Sequence, residues 1–170
     1  MNKTLLKNIY IQNLSLLLIV IVGTLLLTLS AKIKVPFIPV PMTMQTFIVL
    51  FLGYYLGPKL ALATVALYIF EGVLGFPVFT GTPEKGIGIS YIVGPTGGYI
   101  LGFIISSFLA GTQNYNRNFF SNLFKLLLSV LPIYILGLLW LGNIIGWDKP
   151  VLEFGLYPVS YTHLTLPTKA

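Results

Sequence analysis

The stretch PVPMTMQTFIVLFLGYYLGPK, Pro39–Lys59, decides how the chain is read. Two prolines, two threonines and a glutamine lead into an apolar run that ends in Gly57-Pro58-Lys59. With Pro36, the prolines at 39 and 41 remove backbone donors and disfavour helix in the residue before each. Val35–Val40 is therefore expected to be extended and kinked. Thr43 is expected to cap the next helix, its hydroxyl taking a free backbone N–H. Thr46 opens the same helix. A cap does not call for an amide with both donors and an acceptor. In hydrocarbon an unpaired polar group costs several kcal/mol, so Gln45 is assigned to a cavity rather than to lipid.

Outward from this stretch, the whole chain has the same character. Its 170 residues are 56% hydrophobic and only 8% charged, with mean hydropathy +0.90, against about 25% charged residues in a soluble domain. It could not cover a core of its own with polar surface, so it reads as an all-α integral membrane protein in contact with the lipid bilayer. Five apolar segments emerge: Ile11–Ala31, Met44–Gly57, Leu60–Leu74, Tyr91–Gly111 and Phe124–Ile145. The second and third fall short of the roughly 20 residues a spanning helix needs, with Pro58 breaking the chain between them. The first is too long for the apolar part of a signal peptide and lacks a small-residue cleavage site.

The net charge of +6 comes from thinly spread residues that flank apolar runs, as interfacial anchors do, so no nucleic-acid partner is expected. Counting Lys and Arg by loop favours a cytoplasmic N-terminus by a narrow margin. There is no cysteine, hence no disulfide framework and no thiolate metal site. The chain also lacks a phosphate-binding GxxxxGK[ST], an HExxH and a GxSxG. Its one histidine, His163, lies in the C-terminal tail, and its four acids are scattered. Catalysis is not expected.

A second polar interruption is GPTGGY, Gly94–Tyr99. Gly94, Gly97, Gly98 and Gly102 share one helix face, suited to close helix approach. Pro95 should free the carbonyl near Tyr91. Together with the Thr96 hydroxyl and bare glycine backbone, this makes a polar patch at depth that a ligand can approach. Between the two interruptions, residues 75–90 form a long Gly/Pro-rich loop with Phe76 and Phe79, which reads as a lid. Glu71 is the one acid inside an apolar run, and sits close to the run's end.

In order and spacing, VPFIPVPMTMQTFIVLFLGYYLGPKLA, YIFEGVLGFPVFTG and GPTGGYILGF resemble the BioY family, the biotin-binding S-components of energy-coupling factor (ECF) vitamin transporters. The match covers about Lys34–Gly111 and extends more weakly to Pro158. The resemblance implies a bundle of six membrane helices, about five of them present here. It implies biotin as ligand, with no cofactor. It also implies a membrane coupling subunit and two ATPase subunits as partners, and a multi-pass location in a bacterial plasma membrane. Gln45 and the hydroxyls of Thr43, Thr96 and Tyr99 would meet the ureido group, with Thr46 also in the binding site. Phe79 and Tyr91 would cover the rings, and the backbone of Gly94 and Gly98 would approach the ligand. Family S-components dock the coupling subunit through small residues on helix one, and Thr24 and Thr28 stand nearest to that pattern. Biotin's carboxylate should seek a cation or a helix N-terminus.

The C-terminus departs from the family. Residues 159–170, VSYTHLTLPTKA, resemble a translated adapter fragment, where the family continues into a sixth helix carrying an Asp and a Lys of its binding site. Lys169 does not match that Lys. The expectation is a transmembrane domain over 1–158, a non-native tail, a cavity open on one side and weak or no biotin binding by the chain as given. An S-component for another vitamin and a non-functional fragment are the competing readings.

Overall fold

The structure, a computed structural model, describes residues 3–35, 40, 42–81, 88–113 and 118–155. In chain order these form α1 (Lys3–Lys32), β1 (Lys34–Val35), β2 (Met42–Thr43), α2 (Gln45–Val73), α3 (Ile89–Val93), α4 (Gly97–Gly111), α5 (Phe119–Ile145) and α6 (Val151–Gly155). Gln12–Lys32, Gln45–Val73 and Phe119–Ile145 are long and apolar enough to cross a membrane, and Gly97–Gly111 is a shorter apolar helix. The expected membrane-helical architecture is what the described residues show. Pro36, Pro39, Pro41, Glu84, Lys85, Arg117 and the tail with His163 and Lys169 lie outside them.

α2 unites the second and third expected segments, but it is not straight. The Gln45 Nε2 donates to Tyr68 Oη at 2.7 Å across 23 positions, whereas a continuous helix would set those residues roughly 35 Å apart. The chain folds back at Gly57, whose φ of 77° and ψ of 170° lie where side-chain-bearing residues are strained. Pro58 then starts the return arm, where its missing N–H costs nothing. Residues 45–56 rise about 18 Å and residues 58–73 about 24 Å, each short of the about 30 Å hydrocarbon core.

Pro95 does more than free one carbonyl. The expected single helix over Tyr91–Gly111 is broken into α3 and α4, with Gly94 extended at φ −72°, ψ −176° and α4 starting after Thr96. The fifth helix begins earlier than expected, at Phe119. After a turn at residues 147–149, Val151–Gly155 form the short α6. Thr43 is corrected as a helix cap: Met44 occupies that position and no side chain caps α2. Thr43 sits instead in β2, paired antiparallel with Lys34 of β1. That two-residue ladder folds the linker back onto the end of α1, and the Met44 N–H donates to the Ile33 carbonyl at 3.2 Å.

α4 packs between α2 and α5. Between membrane helices lipid offers no hydrophobic driving force, so close packing of small residues carries association. Gly53 of α2 meets the Ser107 backbone and Ala110, and a methyl on Gly102 would fall 2.5 Å from Ile133 Cα of α5. Gly111 abuts Gly57 and Pro58, so the fold-back of α2 lies at the C-terminal end of α4. α1 packs on α2 through Gly23 against Thr64. The interior is built from Leu27, Val49, Val65, Tyr68, Ile133 and Leu141, while Leu29, Phe47, Phe120 and Leu127 face outward, as lipid-facing residues do.

Candidate ligand-binding cavity

At the end of the bundle opposite Gly57, the linker before α2, the first arm of α2, Phe79 and Thr80, α3, the start of α4, α5 and α6 line a cavity of about 440 Å³. That lies in the range of about 300–1,000 Å³ usual for small-molecule sites. Thr43, Gln45, Thr46 and Phe79 line it, as do Tyr91, Thr96 and Tyr99. Seven of the nine residues singled out for ligand contact in the sequence thus come together.

Gly94 and Gly98 do not. The Gly94 carbonyl accepts from Trp140 Nε1 at 3.0 Å, and Gly98 is pressed against Trp140 and the Leu136 carbonyl. Both serve the α4–α5 contact. A small residue at depth reads the same way whether it admits a ligand or a neighbouring helix, and here it admits a helix.

The polar side of the cavity is one connected chain. The Thr43 hydroxyl donates to Gln45 Oε1 at 3.1 Å. Gln45 Nε2 donates to Tyr68 Oη, and Tyr68 donates to the Val78 carbonyl at 3.1 Å. Gln45 is 5% exposed and Tyr68 fully buried, so these bonds form where a missing partner is costly. Across from them, Thr96 Oγ1 reaches the Tyr91 carbonyl at 3.5 Å, the group that Pro95 leaves without a donor. Tyr99 donates to the Gly155 carbonyl at 3.2 Å and thereby fastens α6 over the cavity.

The apolar side is aromatic. Phe79 stacks on Tyr91 with centroids 5.0 Å apart and planes at 15°, and meets Tyr68 edge-on at 5.4 Å. Gly72 makes room for the Phe79 ring. The segment bearing Phe79 is held by the end of α1 and by β1: Lys32 Nζ donates to the Pro77 and Phe79 carbonyls at 2.8 and 2.7 Å, and Lys34 Nζ to the Thr80 carbonyl at 3.2 Å. The expected lid is thus, in its described part, a tethered wall. Phe76, by contrast, points outward.

Among the described residues lining the cavity, none carries a charge, so the expected cation for a carboxylate is not among them. The start of α4 borders the cavity at Thr96 and Tyr99, where the helix dipole favours negative charge.

Sequence reasoning missed Tyr68, Lys32, Lys34 and Trp140. Tyr68 looks like one more aromatic in an apolar run, and only the fold-back of α2 brings it to Gln45. The docking role assigned to Thr24 is also corrected. Thr24 is 2% exposed and faces α2, its hydroxyl near Glu71 Oε1 at 3.3 Å. Glu71, half-buried, therefore has a polar neighbour within the bundle. Thr28 is half-buried and donates to the Thr24 carbonyl at 2.8 Å, as membrane-helix threonines do.

Comparison with known proteins shows the family and the fold. The BioY family model matches residues 2–165.

The chain belongs to the BioY family.

A "Probable biotin transporter BioY" of Pyrococcus horikoshii is 39% identical over 133 residues, 78% of this chain and 77% of that one. A "Biotin transporter BioY" of Thermotoga maritima is 35% identical over 142 residues, 83% of this chain and 82% of that one. Among solved structures, an "S-component for biotin from an ECF-type ABC transporter" superposes with a TM-score of 0.68 at 26% identity, covering 89% of this chain and 79% of that one. The BioY-family chain is accordingly a multi-pass membrane transporter component rather than an enzyme, and its helices follow the S-component fold.

Proposed function

We propose that this BioY-family chain is a biotin-binding S-component that mediates biotin uptake with a separate membrane coupling subunit and two ATPase subunits, in a bacterial plasma membrane. The observation that carries the reading is the pairing of one buried amide, Gln45, with the Phe79–Tyr91 stack across a cavity of about 440 Å³. Biotin's ureido ring offers a carbonyl acceptor beside N–H donors, which an amide matches group for group. Its thioether ring is apolar and suits the aromatic wall. In this reading Gln45 and the hydroxyls around it take the ureido edge, Phe79 and Tyr91 cover the fused rings, and the valerate chain runs toward the start of α4.

The test is equilibrium binding of radiolabelled biotin to the purified chain in lipid nanodiscs, with riboflavin and thiamine as competitors. Weak saturable binding, displaced by unlabelled biotin and by neither other vitamin, is expected of a cavity open on one side. Displacement by another vitamin would overturn the reading.

A further inference from the structure

The orientation of the Gln45 amide is decided by a residue that does not line the cavity. Tyr68 has one hydroxyl hydrogen, and the Val78 carbonyl accepts it at 3.1 Å. The Tyr68 oxygen therefore acts toward Gln45 as an acceptor, and the amide must turn its nitrogen to it, at 2.7 Å. Thr43, donating to Oε1 at 3.1 Å, is satisfied in this orientation, although a hydroxyl can also accept and does not by itself fix it. In the flipped amide, Tyr68 would have to donate to Gln45 Oε1, and the Val78 carbonyl would lose its donor where burial makes that loss costly.

Two neighbours thus use one amide hydrogen and one oxygen lone pair. One N–H and one lone pair remain. The edge of a cyclic urea presents an acceptor oxygen beside an N–H donor, so these leftover groups match it in one order only. A flipped amide would set oxygen against oxygen and N–H against N–H.

We propose that Tyr68 is a positioning residue that holds the Gln45 amide in one orientation, so that the cavity accepts a cyclic urea and rejects its cyclic guanidine counterpart. This rests on the biotin reading above. It goes further in assigning the discrimination at the ureido carbonyl to a side chain buried behind the site. Tyr68 is itself anchored through Val78 to the same 77–80 segment that Lys32 and Lys34 grip.

The experiment compares biotin with 2-iminobiotin, whose protonated guanidine replaces the ureido carbonyl by a donor, using calorimetry on the whole chain in nanodiscs. Tyr68→Phe keeps the ring against Phe79 and removes only the hydroxyl. It is expected to weaken biotin about tenfold, the scale of a lost buried hydrogen bond, without weakening 2-iminobiotin, so the affinity ratio collapses. Loss of packing alone would weaken both ligands alike and leave the ratio unchanged. Thr43→Val leaves the Tyr68 contact in place and is expected to keep the ratio in favour of biotin; a collapsed ratio in that variant overturns the proposal, which keeps it testable where Tyr68→Phe does not fold. In a Gln45→Leu background, Tyr68→Phe should have no further effect on biotin, because residues acting through one group are not additive. An unchanged ratio in Tyr68→Phe, or additive losses in the double variant, overturns the role of Tyr68 alone. A wild-type chain that binds 2-iminobiotin as tightly as biotin overturns this proposal and leaves the biotin reading standing.

Discussion

Gly57→Ala tests the fold-back on which the cavity depends. A methyl at Gly57 would meet nothing within 4 Å, so packing predicts no penalty. The cost comes from the backbone alone, because φ 77° with ψ 170° belongs to a region open in practice only to glycine, at about 1–3 kcal/mol for other residues. Asparagine, which tolerates the left-handed helical region, finds no relief here because ψ is extended. Gly57→Ala and Gly57→Asn should therefore destabilise equally. At about 2–4 °C per kcal/mol for a chain of this size, each should lower the unfolding midpoint by several degrees. The assay is thermal unfolding of the purified chain in one detergent, followed by intrinsic fluorescence. The local effect should reach the cavity weakly, since Gly57 lies at the far end of both arms. Wild-type midpoints for both variants, or an Asn variant matching wild type while Ala does not, would refute the backbone assigned to Gly57 and the hairpin built on it.

Other perturbations separate packing from ligand contact. Gly102→Leu forces a side chain into the Ile133 backbone 2.5 Å away and should cost more stability than Gly57→Ala, by about 1–3 kcal/mol or more from overpacking, read in the same unfolding assay. Gln45→Leu removes the amide that links Thr43 to Tyr68. It should reduce biotin affinity by about 10- to 100-fold, the scale of one or two buried hydrogen bonds, measured by calorimetry.

Much of this was legible in the sequence, for reasons that differ by residue. Apolar run length exposed the membrane helices, and Pro58 and Pro95 announced breaks because a proline acts locally. What each break does was hidden. At Pro58 the chain reverses because of a positive φ on the preceding glycine, and at Pro95 a single expected helix becomes two. Polar groups in apolar surroundings pointed to Gln45, Thr43 and Thr96, since lipid leaves such groups little else to do than line a cavity or pair. Residues whose role depends on a distant partner were not legible. Tyr68 needed the hairpin, Lys32 needed the return of the 77–80 segment, and Gly98 needed Trp140 on α5. Thr24 was misread because small residues on a helix look alike whether they face a partner subunit or the next helix of the same chain.

The central claim is that a biotin ring sits between Gln45 and the Phe79–Tyr91 stack. The most direct measurement is photo-crosslinking with a diazirine-bearing biotin, mapped by mass spectrometry on the chain in nanodiscs. Labelling within residues 43–46, 79–81 and 91–99, abolished by excess biotin, is the expected result. Biotin-competed labelling confined to the outer groove between Leu18, Val22 and Phe51, or labelling that excess biotin does not displace, would contradict it.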